Sequence, residues 1–112
     1  MSSITTHVLD TSLGKPAAGI PVSLAIRDAQ AYRVLAQGVT DPDGRVRHFL
    51  PEVALQVATY QLVFETAGYF VAASRASFYE RVTLEFHVGD ASQHYHVPLL
   101  LSPFGYTTYR GS

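Results

Sequence analysis

Two histidines separated by a single residue stand in the segment His94-Tyr95-His96. On a β-strand, residues i and i+2 project from the same face, with side chains roughly 6–7 Å apart. Two imidazoles at that distance suit two ligands of one metal ion, or two members of a proton-transfer group near neutral pH. The solvent-facing side of an amphipathic strand would produce the same pair. Because the sequence offers no third or fourth ligand in a recognisable pattern, we expect no metal site.

A third histidine, His7, lies in a β-branched segment that is typical of a strand. There it would share one face with Thr5 and Leu9, while Val8 points to the other face. A single histidine in such a place is most often a partly exposed side chain with one hydrogen bond. Its spacing alone therefore does not assign it a role.

Arg45 follows directly after the turn sequence Asp41-Pro42-Asp43-Gly44. Proline favours the bend and glycine the left-handed position of such a turn, so a short backbone would hold the arginine. Its planar guanidinium can grip a carbonyl or a developing oxyanion at two points. A solvated loop arginine is the alternative reading, and Arg47 is a competing candidate on the same face.

The last nine residues, Phe104 to Ser112, are aromatic and β-prone almost to the end. Chain ends are usually polar or small, and apolar side chains are costly to leave in water. We therefore expect this segment to be docked. Docking would bring the hydroxyl and the carboxylate of Ser112 to a fixed place.

Period-two alternation of apolar residues dominates the chain and predicts an all-β sandwich of seven or eight short strands. The alanine-rich segment Ala67–Ala76 does not alternate, and it predicts one short helix. The predicted strands are Ile4–Asp10, Pro21–Arg27, Tyr32–Val39, Thr59–Glu65, Val82–Val88, His94–Ser102 and Tyr106–Ser112.

Length and composition limit the function classes. A chain of 112 residues predicts one domain, 1–112, and the lack of cysteine excludes disulfides, thiolate metal sites and a cysteine nucleophile. A net charge of −1 argues against nucleic-acid binding. Only 15% of residues are charged, against about 25% in an average soluble domain, so we expect subunit contacts to cover part of the surface. No signal-peptide pattern precedes the first strand, which predicts a cytoplasmic protein.

Four motifs occur in an order that closely resembles the 5-hydroxyisourate hydrolase family, the transthyretin-like enzymes of purine catabolism. They span almost the whole chain and end on that family's signature. The motifs are Thr-Thr-His-Val-Leu-Asp-Thr at 5–11, Thr-Asp-Pro-Asp-Gly-Arg at 40–45, His-Tyr-His-Val-Pro-Leu-Leu-Leu-Ser-Pro at 94–103 and Tyr-Arg-Gly-Ser at 109–112.

The resemblance implies a transthyretin-like (prealbumin-like) sandwich of two four-stranded antiparallel sheets with one short helix. It implies hydrolysis of 5-hydroxyisourate to 2-oxo-4-hydroxy-4-carboxy-5-ureidoimidazoline after urate oxidation, without a cofactor. It also implies a homotetramer, a dimer of dimers, with the site at the dimer–dimer interface. The family's catalytic residues correspond to His7, Arg45, His96 and Ser112. Its substrate-binding residues correspond to His7, Arg45, Tyr109, His94 and Thr108.

Two other functions compete with hydrolysis. A transthyretin-like binding protein would carry a hormone-type small molecule without catalysis, but that lineage lacks the channel histidines and the Tyr-Arg-Gly-Ser end that are both present here. A purely structural β-sandwich would explain the strands but not the aromatic C-terminal segment. Which histidine acts as the base stays open, because the two could act as one coupled unit.

Overall fold

The computed structural model describes residues 3–46 and 54–112. These residues form eight strands and one helix. In chain order they are β1 (Ile4–Asp10), β2 (Lys15–Pro16), β3 (Pro21–Asp28), β4 (Ala31–Val39), β5 (Ala58–Phe64), α1 (Thr66–Ala72), β6 (Val82–Val88), β7 (Tyr95–Ser102) and β8 (Gly105–Thr108).

The strands form two four-stranded sheets, which confirms the predicted all-β sandwich. One sheet has the order β2-β1-β7-β8 and the other has the order β4-β3-β5-β6. Neighbouring strands are antiparallel except β1 and β7, which run parallel, so the first sheet is mixed and not antiparallel as the resemblance implied. A parallel pair needs a long crossover, and here nearly the whole chain lies between its two strands. The pairing therefore brings the two histidine-bearing segments side by side.

Alternation along each strand creates the core between the sheets. In β1, Ile4, Thr6 and Val8 are buried, whereas Thr5 and His7 are only half-buried on the outer face. The same inward alternation fills the core from both sheets, and its largest fully buried side chains are Tyr60, Phe64 and Phe70. Burial of apolar surface on this scale drives the folding of the sandwich, at about 25 cal/mol per Å².

The helix is shorter than its sequence suggested. It covers Thr66–Ala72 rather than Ala67–Ala76. The backbone N–H groups of Ala73 and Arg75 both donate to the carbonyl of Phe70, and Ser74 adopts a φ of 57°. This left-handed residue ends the helix before the alanine-rich segment is complete. Among the described residues, no helix is long and apolar enough to cross a membrane.

A buried carboxylate ties the helix to the first sheet. Asp10 is fully buried at the end of β1, and it accepts hydrogen bonds from Arg75 Nη1 at 2.8 Å and from the hydroxyl of Tyr69 at 2.7 Å. Burial alone would raise the pKa of Asp10, but the hydrogen bonds from Arg75, Ser12 and Tyr69 outweigh it and hold that pKa far below its usual range. The aspartate is therefore ionised, and it anchors the segment that follows the helix.

Candidate functional site

The outer face of the β2-β1-β7-β8 sheet carries the candidate residues. The parallel register pairs Thr5 with His96 and His7 with Pro98. Residues paired in this way point to the same side of a sheet, so Thr5, His7 and His96 share the outer face. His7 and His96 therefore lie on the same face of one sheet, on neighbouring strands.

A chain of hydrogen bonds links the outer face of β1 to the two histidines of the His-Tyr-His segment. Thr5 Oγ1 lies 2.8 Å from His96 Nδ1 and 3.1 Å from His94 Nε2. The second nitrogen of His94, Nδ1, lies 2.8 Å from Ser3 Oγ. The predicted common face of the two histidines is confirmed, because one hydroxyl reaches both rings.

The Asp41–Gly44 turn brings Arg45 beside this face. Gly44 donates to the carbonyl of Asp41 at 2.8 Å and has a φ of 77°, the left-handed conformation predicted for it. Val8 N–H donates to the carbonyl of Gly44 at 2.8 Å, and Arg45 pairs with His7 as an antiparallel bridge. A side chain at Gly44 would collide with the carbonyl of Val8, so only glycine allows this close approach. Arg45 is therefore anchored next to His7, with its side chain exposed.

The C-terminal segment docks on the opposite flank of the histidines. Strand β8 ends at Thr108, but Gly111 N–H donates to the carbonyl of His96 at 2.7 Å. This pairing extends the register in which Leu99 faces Thr108. A Cβ placed on Gly111 would lie 2.6 Å from His96 Cδ2, so the chain packs directly on the imidazole. The backbone of this segment is docked as predicted, but the side chains of Phe104, Tyr106 and Tyr109 are exposed rather than covered. Ser112 follows Gly111 in the chain and is exposed.

The two remaining predicted residues occupy different positions around β7. Continuing the β8 register would place Tyr109 next to Pro98, the residue that pairs with His7. Thr108 instead donates its hydroxyl to the carbonyl of Pro98 at 2.7 Å. Both residues border a groove along β6, at the open edge between the two sheets. The competing candidate Arg47 lies outside the described residues.

The cluster changes the acid–base properties of His96. Burial lowers its pKa below the usual histidine value, and the nearby positive charge of Arg45 and the imidazoles of His7 and His94 lower it further. The geometry agrees, because Arg45 pairs with His7 and the hydroxyl of Thr5 reaches both His94 and His96. A lowered pKa favours the neutral imidazole of His96 at pH 7, the form that can accept a proton.

A family comparison identifies this arrangement. A model described as the HIUase/Transthyretin family matches residues 4–111. The chain belongs to that family. The match covers every strand and each of the four motifs that carried the resemblance, apart from the final Ser112.

Individual members of the HIUase/Transthyretin family agree with this assignment. The 5-hydroxyisourate hydrolase of Deinococcus radiodurans is 49% identical over 113 residues, covering 97% of this chain and 95% of that protein. The structure of Klebsiella pneumoniae 5-hydroxyisourate hydrolase is 40% identical, with a TM-score of 0.86 over 99% of this chain and 100% of that chain. Sea bream transthyretin in complex with thyroxine is 28% identical, with a TM-score of 0.91 over 96% of this chain and 93% of that chain.

Sequence reasoning missed two residues that shape the site in this family member. Thr5 joins the two histidines, and Gly111 packs on one of them. Alternation already put Thr5 on the same face as His7, which was the available signal. Nothing in the local sequence around Gly111 indicates its approach to a ring on β7.

Proposed function

We propose that this protein hydrolyses 5-hydroxyisourate, opening its six-membered ring at a cyclic amide. The observation that carries the proposal is the convergence of His7, Arg45 and His96 on one sheet face, beside the docked C-terminal segment. The two hydrolases compared above share 40–49% of their residues with this chain over nearly its full length. The thyroxine-binding relative shares 28%.

His96 is well placed to activate water. Its Nδ1 is engaged by Thr5, so Nε2 is the nitrogen with which it would meet a water molecule. Water is a poor nucleophile at pH 7, and a neutral imidazole that takes its proton typically accelerates attack by about 10²–10⁴-fold. His7 is the second candidate base, and the two histidines would act as a coupled pair.

Arg45 would bind the carbonyl that is attacked. Attack converts this carbonyl oxygen into an oxyanion, and a guanidinium fixed nearby stabilises that charge as it forms. Loss of one such donor costs about 3–4 kcal/mol in other hydrolases. The anchored turn before Arg45 restricts the search of its long side chain, which favours a defined position over a solvated one.

The reaction balances with water as the only co-reactant. A water oxygen bonds to C6, the N1–C6 bond breaks, and the proton taken from water returns to N1. We assign Ser112 to the hydrogen-bond relay that guides this water. Tyr109, His94 and Thr108 would help to orient the planar substrate, although Thr108 already donates its hydroxyl to Pro98. No covalent intermediate or cofactor is required.

The proposal extends to the assembly. We expect a homotetramer, a dimer of dimers, whose subunit contacts enclose the outer face that carries His7. The low proportion of charged residues, 15%, supports such contacts. Leu9 and Leu100 support them too, because these apolar side chains lie half-buried on the outer face. The location of the protein in the cytoplasm stays a prediction from the sequence.

A kinetic assay on freshly generated 5-hydroxyisourate tests the proposal. The protein should collapse the transient absorbance of this compound faster than its spontaneous decay. A transthyretin-like carrier would leave the decay rate unchanged and bind a hormone-type ligand in stoichiometric amount. Decay at the spontaneous rate, with micromolar protein present, would refute the hydrolase function.

A further inference from the structure

The hydroxyl of Thr5 stands between two imidazoles and has only one proton to give. It lies 2.8 Å from His96 Nδ1 and 3.1 Å from His94 Nε2. A threonine hydroxyl is one donor with two acceptor lone pairs. It can therefore donate to one ring only, and when its proton goes to one ring it accepts from the other.

This constraint couples the proton positions of the two rings. If His94 is cationic, both of its nitrogens donate, to Ser3 Oγ and to Thr5 Oγ1. When the hydroxyl proton of Thr5 lies between the rings, Thr5 then donates to Nδ1 of His96, and a neutral His96 holds its proton on Nε2. If Nε2 of His94 carries no proton, Thr5 can donate to it and accept from Nδ1–H of His96. Of these two patterns, the second leaves the lone pair of His96 on Nε2.

We propose that Thr5 and His94 are positioning residues that set the tautomer of His96. The proposal rests on the proposed function, in which Nε2 of His96 accepts the proton of water. In this account His94 acts on the base through Thr5, in addition to its proposed part in orienting the substrate. A neutral His94 with its proton on Nδ1 lets Thr5 hold His96 in the tautomer that presents Nε2, so the charge of His94 enters the activity profile.

Other charged groups surround His94 and His96, and they determine which proton transfers can affect the two rings. His7 faces it from β1, Arg45 from the turn, and Arg110 from the C-terminal segment, where Nη2 lies 3.5 Å from the carbonyl of His94. Both arginines stay charged throughout the physiological range. The histidines are therefore the described neighbours that can gain or lose a proton.

Nitrogen-15 NMR of the wild-type protein tests the coupling without an activity measurement. Long-range cross-peaks identify which ring nitrogen of His96 carries the proton, and the spectra resolve His7 and His94 separately. While His96 is still neutral, protonation of His94 should move the His96 proton from Nδ1 to Nε2. A His96 tautomer that ignores the state of His94 would overturn the proposal.

Two variants of Thr5 test its effect on turnover. Thr5→Val keeps the shape and removes the hydroxyl, whereas Thr5→Ser keeps the hydroxyl and serves as the matched control. We expect kcat to fall about tenfold or more in Thr5→Val with a smaller change in KM, and to stay within about threefold in Thr5→Ser. The Thr5→Val spectra should also show His96 tautomers independent of His94. Equal turnover in the two variants, or loss of turnover with wild-type coupling, would contradict the proposal.

The two experiments separate this proposal from the proposed function. Coupled tautomers without any turnover of 5-hydroxyisourate would support the hydrogen-bond coupling and reject the hydrolase. Turnover with uncoupled tautomers would support the hydrolase and reject the positioning role of Thr5 and His94.

Discussion

Replacing Gly111 by alanine should damage the site by a predictable displacement. The added Cβ would lie 2.6 Å from His96 Cδ2, whereas ordinary contact begins at 3.4 Å. The C-terminal segment or the ring must therefore move by about 0.8 Å. Movement of the segment breaks the 2.7 Å hydrogen bond from Gly111 to His96, and rotation of the ring breaks the 2.8 Å contact with Thr5.

Either movement shifts the candidate base relative to its substrate. A misplacement of about 1 Å commonly costs about 10²-fold in rate, so we expect kcat/KM of Gly111→Ala to fall by about that factor. The segment is largely exposed, and the lost hydrogen bond is worth only about 1 kcal/mol, so the fold should persist. Absorbance kinetics with 5-hydroxyisourate and a thermal melt measure the two effects separately.

Gly105→Ala is the matched control for this variant. It makes the same chemical change in the same C-terminal region, but its nearest contact would be Ser102 Oγ at an ordinary 3.8 Å. We expect kcat/KM of this control to stay within about threefold of wild type. Wild-type turnover in Gly111→Ala would refute the argument that packing of the segment on His96 positions the base.

Three further predictions concern stability, electrostatics and assembly. Arg75→Met removes the main partner of the buried Asp10, so it should lower the free energy of unfolding in urea by about 3 kcal/mol. Arg81→Met removes an exposed ion pair, so it should lower that free energy by less than about 1 kcal/mol. Equal costs for the two variants would contradict the role of Arg75. Because the pKa of Asp10 is lowered, the ionised Asp10 stabilises the fold above the usual carboxyl pKa, and this stabilisation should disappear in acid. Arg45→Met should raise the pKa of His96 in an NMR titration, since the nearby positive charge lowers it, and an unchanged pKa would place Arg45 away from the ring. Sedimentation should show an assembly larger than the 12.2 kDa chain, and a stable monomer at micromolar concentration would refute the proposed contacts.

The sequence predicted the strands well because one face of each is buried. The bounds of β1 and β6 match the predicted ranges Ile4–Asp10 and Val82–Val88, where alternation runs from end to end. The helix was predicted to end four residues too late because alanine propensity does not report the left-handed conformation of Ser74. Local composition describes propensity, whereas the end of this helix depends on where the chain must turn.

The site was predicted in its residue types but not in its connections. The Asp-Pro-Asp-Gly turn and the i, i+2 histidines are local patterns, and both were read from the sequence. The contacts of Thr5 with His96 and of Gly44 with Val8 depend on register between distant segments. The buried network of Asp10 was likewise invisible, because Tyr69 in the helix and Arg75 after it are more than fifty residues away.

Turnover of site variants decides whether His7, Arg45 and His96 form one hydrolytic site. His7→Asn and His96→Asn should each lower kcat/KM for 5-hydroxyisourate by at least about 10²-fold with the fold intact. His87→Asn is the control, because His87 is exposed on β6 of the other sheet and should be replaceable without loss. Arg45→Glu should match the first two variants. Wild-type turnover in any two of His7→Asn, His96→Asn and Arg45→Glu would contradict the account.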